Sequence, residues 1–147
     1  MMSSGFDFSG KVAVVVGASS GLGADAARAY AEHGADVALL ARRLERLEAL
    51  KTEIEAAGRR AVAVRCDVTD EDSCRAAVDA VIDAYGRIDI LLNNAGVAVR
   101  GGVDTLTDAE WDRSFDTNVK GIFHVSKYVV PRMRERGYGK IVNIASV

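Results

Sequence analysis

Five short runs of apolar, mostly β-branched residues, at 11–16, 36–41, 61–66, 88–92 and 140–145, recur along the chain, and longer helical patterns fill the gaps between them. Several runs are apolar almost throughout, as expected for strands covered on both faces, and strands of that kind belong to parallel sheets with helices packed on either side. Helices are expected at 21–33, 44–57, 70–85 and, as one long element, 117–136. Repeated strand-helix units imply right-handed crossovers, and the class that follows is α/β with a doubly wound parallel sheet in the order 3-2-1-4-5. Thr107 and Glu110 have the spacing of a capping box, which predicts a short helix leading into the long one.

Nothing in 147 residues, 49% of them hydrophobic, asks for more than one domain, so 1–147 is read as a single domain without linker or low-complexity stretch. A formal charge of −2 gives no general attraction for nucleic acid or an anionic membrane. The apolar runs are strand-sized, and the first ten residues lack a basic segment followed by a long apolar one. A soluble, cytoplasmic protein with neither a nucleic-acid nor a membrane partner is expected. The two cysteines, Cys66 and Cys74, have no ligand-like spacing to His33 or His124, so no metal site and no disulfide are expected; Cys74 reads as a small core side chain.

The long helix is unusual. Val119, Ile122, Phe123, Val125, Val129, Val130 and Met133 surround most of its axis and leave Lys120, His124, Lys127 and Arg134 as a narrow polar strip. A helix apolar on two sides wants cover on both, one from the sheet and the other from a second subunit, so a homo-oligomer through 117–136 is expected. Pro131 is expected to bend its last turn.

The turn between the first strand and the first helix reads Gly17-Ala18-Ser19-Ser20-Gly21-Leu22-Gly23. Gly17 permits a sharp exit from the strand, Gly21 lets backbone approach a diphosphate, and Gly23 lets the helix pack closely on the sheet. The amides of Gly21, Leu22 and Gly23 open a helix whose positive end suits phosphate, and Ser19 and Ser20 add hydroxyl donors. The alternative is a plain tight turn.

With this turn, Asp67 in Cys66-Asp67-Val68-Thr69, the block Asn93-Asn94-Ala95-Gly96, Asn118 in Asp116-Thr117-Asn118-Val119, and Asn143-Ile144-Ala145-Ser146, the sequence resembles the short-chain dehydrogenase/reductase family over essentially its whole length. Val16 stands where family members commonly carry threonine. The resemblance implies a Rossmann-type dinucleotide-binding domain and hydride transfer between a nicotinamide coenzyme and a small-molecule alcohol or carbonyl substrate. It also implies adenine contacts from Asp67 and the backbone of Val68, and contacts from Asn94, Ala95 and Gly96 to the adenosine ribose side. Asn93 is left as a candidate brace of the sheet.

The end of the second strand distinguishes the two coenzymes, since a carboxylate there accepts bonds from the ribose 2′-hydroxyl and repels a 2′-phosphate. Ala41 is followed instead by Arg42 and Arg43. At ~4 Å and an effective dielectric of ~20, one charge pair contributes about 4 kcal/mol before desolvation, so NADP(H) is expected in preference to NAD(H), Arg42 being the stronger candidate. Either arginine could instead simply begin the charged face of the next helix.

By the same resemblance Ser146 and Asn118 correspond to the family's catalytic serine and asparagine. The family's tyrosine and lysine follow that serine. All four tyrosines here, Tyr30, Tyr85, Tyr128 and Tyr138, precede it. The chain is therefore expected to be an N-terminal, C-terminally truncated portion of such an oxidoreductase, inactive alone. Two other readings stay open, a non-catalytic NADP(H)-binding sensor module and an assembly partner of a full-length relative.

Overall fold

A computed structural model describes residues 5–145. Among them five strands, β1 (Val12–Val16), β2 (Asp36–Ala41), β3 (Ala61–Arg65), β4 (Ile90–Asn93) and β5 (Lys140–Asn143), form one parallel sheet in the order β3-β2-β1-β4-β5. The order is the one expected from the alternation of strands and helices. The crossovers are α1 (Gly21–Glu32), α2 (Leu44–Ala56), α3 (Glu71–Tyr85), and a composite last helix built from α4 (Asp108–Phe115), a wide π-type turn (Asp116–Lys120) and α5 (Gly121–Arg136).

β1 lies at the centre with all five side chains buried, and consecutive residues of it feed the two apolar layers. Val12, Val14 and Val16 join Val78 and Val81 of α3 and Val125 and Val129 of α5 on one face; Ala13 and Val15 join Ala27 and Ala31 of α1 and Leu47, Leu50 and Ile54 of α2 on the other. This is the two-sided cover that the unbroken apolar strands demand. The alanines of α1 permit a close approach of helix to sheet.

Two strands are shifted by two residues at one end from the sequence expectation. The fourth begins at Ile90 because Asp89, at the turn, is used as a clamp. Its buried carboxylate accepts from Val12 N–H at 2.9 Å and from the Arg87 guanidinium at 2.8 Å, while its carbonyl accepts from Lys140 N–H. The start of β4 is thereby tied to both neighbours. The fifth strand ends at Asn143, and all four of its residues are exposed.

The long helix also departs from the single α-helix expected over 117–136. Its first residues are wound wide, and α5 proper starts at Gly121, where a methyl group would stand 2.7 Å from Val68 Cγ2. The capping box of Thr107 and Glu110 is present at the start of α4, and α5 runs through Pro131 to Arg136. Its polar strip is not all solvent-facing. His124 is buried and Lys127 pairs with Glu71 of α3, because the strip faces α3 and the loop that precedes it.

Candidate functional site

The carboxyl ends of β1, β2, β3 and β4 border a cleft of about 200 Å³. Val16, Gly17, Ser19, Ser20, Arg42, Arg43, Asp67, Val68, Asn94, Ala95 and Gly96 line it, together with Ala41, Cys66, Thr69, Val97 and Thr117. Such a crevice at the point where strand order reverses is where open α/β sheets bind ligands.

Gly17 leaves β1 with φ +81°, and its N–H and that of Ala18 both donate to the Leu40 carbonyl, so the turn is fastened to β2. A methyl group on Gly17 would lie 2.7 Å from the amide nitrogen of Ala95, and one on Gly23 would lie 2.1 Å from the Gly17 carbonyl oxygen. Asn94 completes this junction by donating from Nδ2 to the Gly17 carbonyl at 3.3 Å. Gly21 is different. Its φ is +56°, and a methyl group there would meet nothing within 4 Å. Gly21 and Leu22 thus stand open at the start of α1, whereas Gly23 is packed beneath the turn; none of these three lines the cleft wall itself.

The first turn of α1 holds no acidic residue, and Ser20, although at the N-cap position, accepts no side-chain bond from it. The amides that every α-helix leaves without internal partners are therefore uncapped here. By contrast α3 is closed by the Asp70 carboxylate, which accepts from the amides of Asp72 and Ser73, and α4 by the Thr107 hydroxyl. The positive end of α1 is available to an external anion.

Opposite this end, Arg42 and Arg43 are exposed at the tip of β2, and Arg43 donates to the Ser19 hydroxyl at 3.3 Å, bridging the two sides of the cleft. Asp67 continues the wall beyond β3. Burial pushes its carboxyl up, but hydrogen bonds from the Thr69 hydroxyl and amide and the charges of Arg42 and Arg65 outweigh that and hold it below the usual carboxylate range. It is an anion in a neighbourhood of arginines.

Asn118 sits in the wide turn and does not line the cleft. Its Oδ1 accepts from Val97 N–H at 2.8 Å and its Nδ2 donates to the Val97 carbonyl at 2.9 Å, closing a two-bond clamp on the loop that follows β4. The wide turn places Thr117, its neighbour, on the cleft wall. Asn93 lies outside the wall, buried, and donates to Asn143 of β5 and to Ser126 of α5. Ser146 lies outside the described residues.

Sequence reasoning missed His124. Its Nδ1 lies 2.8 Å from the Val68 carbonyl, so that nitrogen carries the proton and α5 braces the loop after β3. The only signal was the placement of a histidine four residues before Tyr128 on a face taken as polar. Cys66, for which the sequence offered no role, is buried in the core and also borders the cleft.

A family model described as short chain dehydrogenase matches residues 11–147. The chain is 42% identical over 142 residues to gluconate 5-dehydrogenase of Gluconobacter oxydans, covering 97% of this chain and 56% of that protein. Among solved structures it is similar to a metagenomic short-chain oxidoreductase in complex with NADP, with a TM-score of 0.90, 42% identity, and coverage of 95% of this chain and 64% of the other. It is also similar to a 7α-hydroxysteroid dehydrogenase complexed with NADH and 7-oxo glycochenodeoxycholic acid, with a TM-score of 0.92, 35% identity, and coverage of 95% and 55%. The chain spans about half the length of the curated dehydrogenases it matches.

Proposed function

The chain belongs to the short chain dehydrogenase family, and from that premise we propose that 1–147 is one dinucleotide-binding domain whose cleft takes NADP(H) in preference to NAD(H), within an oxidoreductase acting on alcohol or carbonyl substrates. The observation that carries this reading is the uncapped start of α1 facing two arginines across a cleft at the switch point of the sheet. A cradle that small residues keep open supports the fit, since Gly21 fronts empty space while Gly17 and Gly23 leave no room for a side chain of their own.

In this reading the amides of Gly21, Leu22 and Gly23, with the Ser19 and Ser20 hydroxyls, hold the diphosphate. Arg42 binds the 2′-phosphate, and Arg43, already bonded to Ser19, stiffens that side of the cleft. Asp67 and Val68 receive the adenine, and Asn94, Ala95 and Gly96 flank the adenosine ribose. When bound, the coenzyme supplies or takes up the hydride. Asn118 fixes the Val97 loop beside the reacting end, and Ser146 is assigned to the substrate oxygen. None of the four tyrosines stands in the family's order relative to Ser146, so within residues 1–147 this reading assigns the coenzyme site and does not assign the general acid.

The relatives' names share a dehydrogenase reaction and no common substrate, so the proposal stops at the alcohol or carbonyl class. A second copy of the chain is proposed as the partner, covering the apolar side of the composite helix, where Trp111, Phe115, Val119 and Phe123 are exposed.

Titration of the chain with NADPH and NADH, followed by coenzyme fluorescence, tests the assignment. NADPH should bind at least tenfold more tightly, and Arg42→Asp should abolish or invert the preference. Equal affinities before and after the substitution would remove Arg42 from its role.

A further inference from the structure

Cys66, the residue after β3, and Cys74, in the first turns of α3, bring their sulfurs to 3.9 Å across the loop that carries Asp67, Val68 and Thr69. That loop is held firmly. Asp67 N–H donates to the Ser73 hydroxyl at 2.9 Å, Asp70 N–H donates to the Asp67 carbonyl, and the Asp70 carboxylate caps α3. Both cysteines are free thiols, both are buried and both pack in the same core layer; Cys66 in addition borders the cleft beside Asp67 and Val68.

We propose that Cys66 and Cys74 form an oxidisable dithiol, closed to a disulfide by a small peroxide that enters the cleft, and that bound coenzyme shields it by covering Cys66. The shielding half rests on the reading of the cleft given above; the dithiol itself does not. The sulfur of Cys66, the cysteine of the pair that borders the cleft, attacks the near oxygen of the peroxide; the O–O bond breaks, leaving a sulfenic acid on Cys66 and one water. Cys74 then displaces the hydroxyl from that sulfur and the S–S bond forms with a second water. Two thiols and one hydrogen peroxide give one disulfide and two waters, the sulfurs losing two electrons. Cys66 donates its S–H to Cys74, and that bond together with burial holds the Cys66 thiol up, so the attack on peroxide is the slow step of the pair and the bond is given up when Cys66 is oxidised.

The test is hydrogen peroxide treatment of the full chain with and without saturating NADP⁺, the oxidised coenzyme so that the probe is not a reductant. Intact mass and thiol titration are read after denaturation, and NADP⁺ binding to the reduced protein is measured separately by calorimetry. A loss of 2 Da with both thiols gone, restored by a dithiol reductant and slowed at least fivefold by NADP⁺, is the expected result. Cys74→Ser, checked for an unchanged unfolding temperature, should gain oxygen at Cys66 and show no 2 Da loss. Two thiols still titrating after treatment, or oxygen adducts on Cys66 with Cys74 still free in the unsubstituted chain, would overturn the dithiol. Binding of NADP⁺ with an unchanged oxidation rate would overturn the shielding. Loss of 2 Da in a chain that binds no NADP⁺ would leave the dithiol standing and remove the coenzyme reading instead.

Discussion

Gly21 and Gly23 stand two residues apart and constrain the molecule in opposite ways. At Gly23 a methyl group would enter the Gly17 carbonyl oxygen and lie 2.7 Å from Asn94 Nδ2, both parts of the junction between β1, α1 and β4. Gly23→Ala should therefore destabilise by ~3 kcal/mol or more through overpacking against backbone. Gly21→Ala meets no atom, and its left-handed φ of +56° should cost ~1 kcal/mol. Both should lose coenzyme affinity. Thermal unfolding set beside NADPH titration checks the contrast, and an equal loss of stability in the two variants would contradict it. His124 offers a different case, in which the effect on the cleft is indirect. Removing its donor in His124→Leu strands the Val68 carbonyl inside the protein, at about 1–3 kcal/mol. NADPH binding should weaken severalfold, and His124→Gln, which keeps a donor, should recover most of it.

The tie between α3 and α5 titrates. Lys127 and Tyr128 both donate to Glu71 Oε1, and these bonds, the Lys127 one first, hold the Glu71 carboxyl down to about 2 from an ordinary 4.5. Because the folded value is the lower one, this contribution is fully present above pH 4.5 and is lost as pH falls toward 2. Glu71→Gln should unfold at a lower temperature at neutral pH and lose less on acidification across that window; parallel acid limbs in the two proteins would show that the pair contributes nothing. The pair was not legible in the sequence, because residues 71 and 127 meet only after α3 and α5 have packed side by side on one face of the sheet. The elements themselves were legible. Unbroken runs such as Val12–Val16 announce a covered parallel strand by composition alone, and the positions of Gly17, Gly21 and Gly23 identify the turn that starts the cleft. What periodicity misses are departures caused by tertiary bonds: β4 starts late because Asp89 is a clamp, and the helix before α5 is wound wide where Asn118 turns its amide to Val97. His124 was misplaced for the same reason, a polar side chain at a helical position being equally consistent with solvent and with a buried carbonyl partner.

Taken whole, the molecule is well covered on one side of its composite helix and bare on the other. Val125, Val129 and Met133 are buried against the sheet and α3, while Val119 and Phe123 are each 57% exposed and are joined by the stacked pair Trp111 and Phe115, whose rings lie 4.7 Å apart. Four large apolar side chains on α4, the wide turn and α5 make an exposed apolar surface of the kind soluble monomers seldom keep. A second copy presenting the same surface would bury it by two-fold symmetry, each helix covering the other. Phe123→Glu, alone and with Val119→Glu, separates this assembly from simple stickiness. The two side chains make little contact with the core, so the unfolding temperature should change by no more than surface substitutions usually change it, about 0.5 kcal/mol in stability. Sedimentation should show the unsubstituted chain as a discrete dimer or larger closed assembly, and each added glutamate should move it toward monomer by placing like charges across the two-fold axis. A chain that sediments as a monomer before substitution, or an assembly that survives both glutamates, would mean that this face does not hold two copies together.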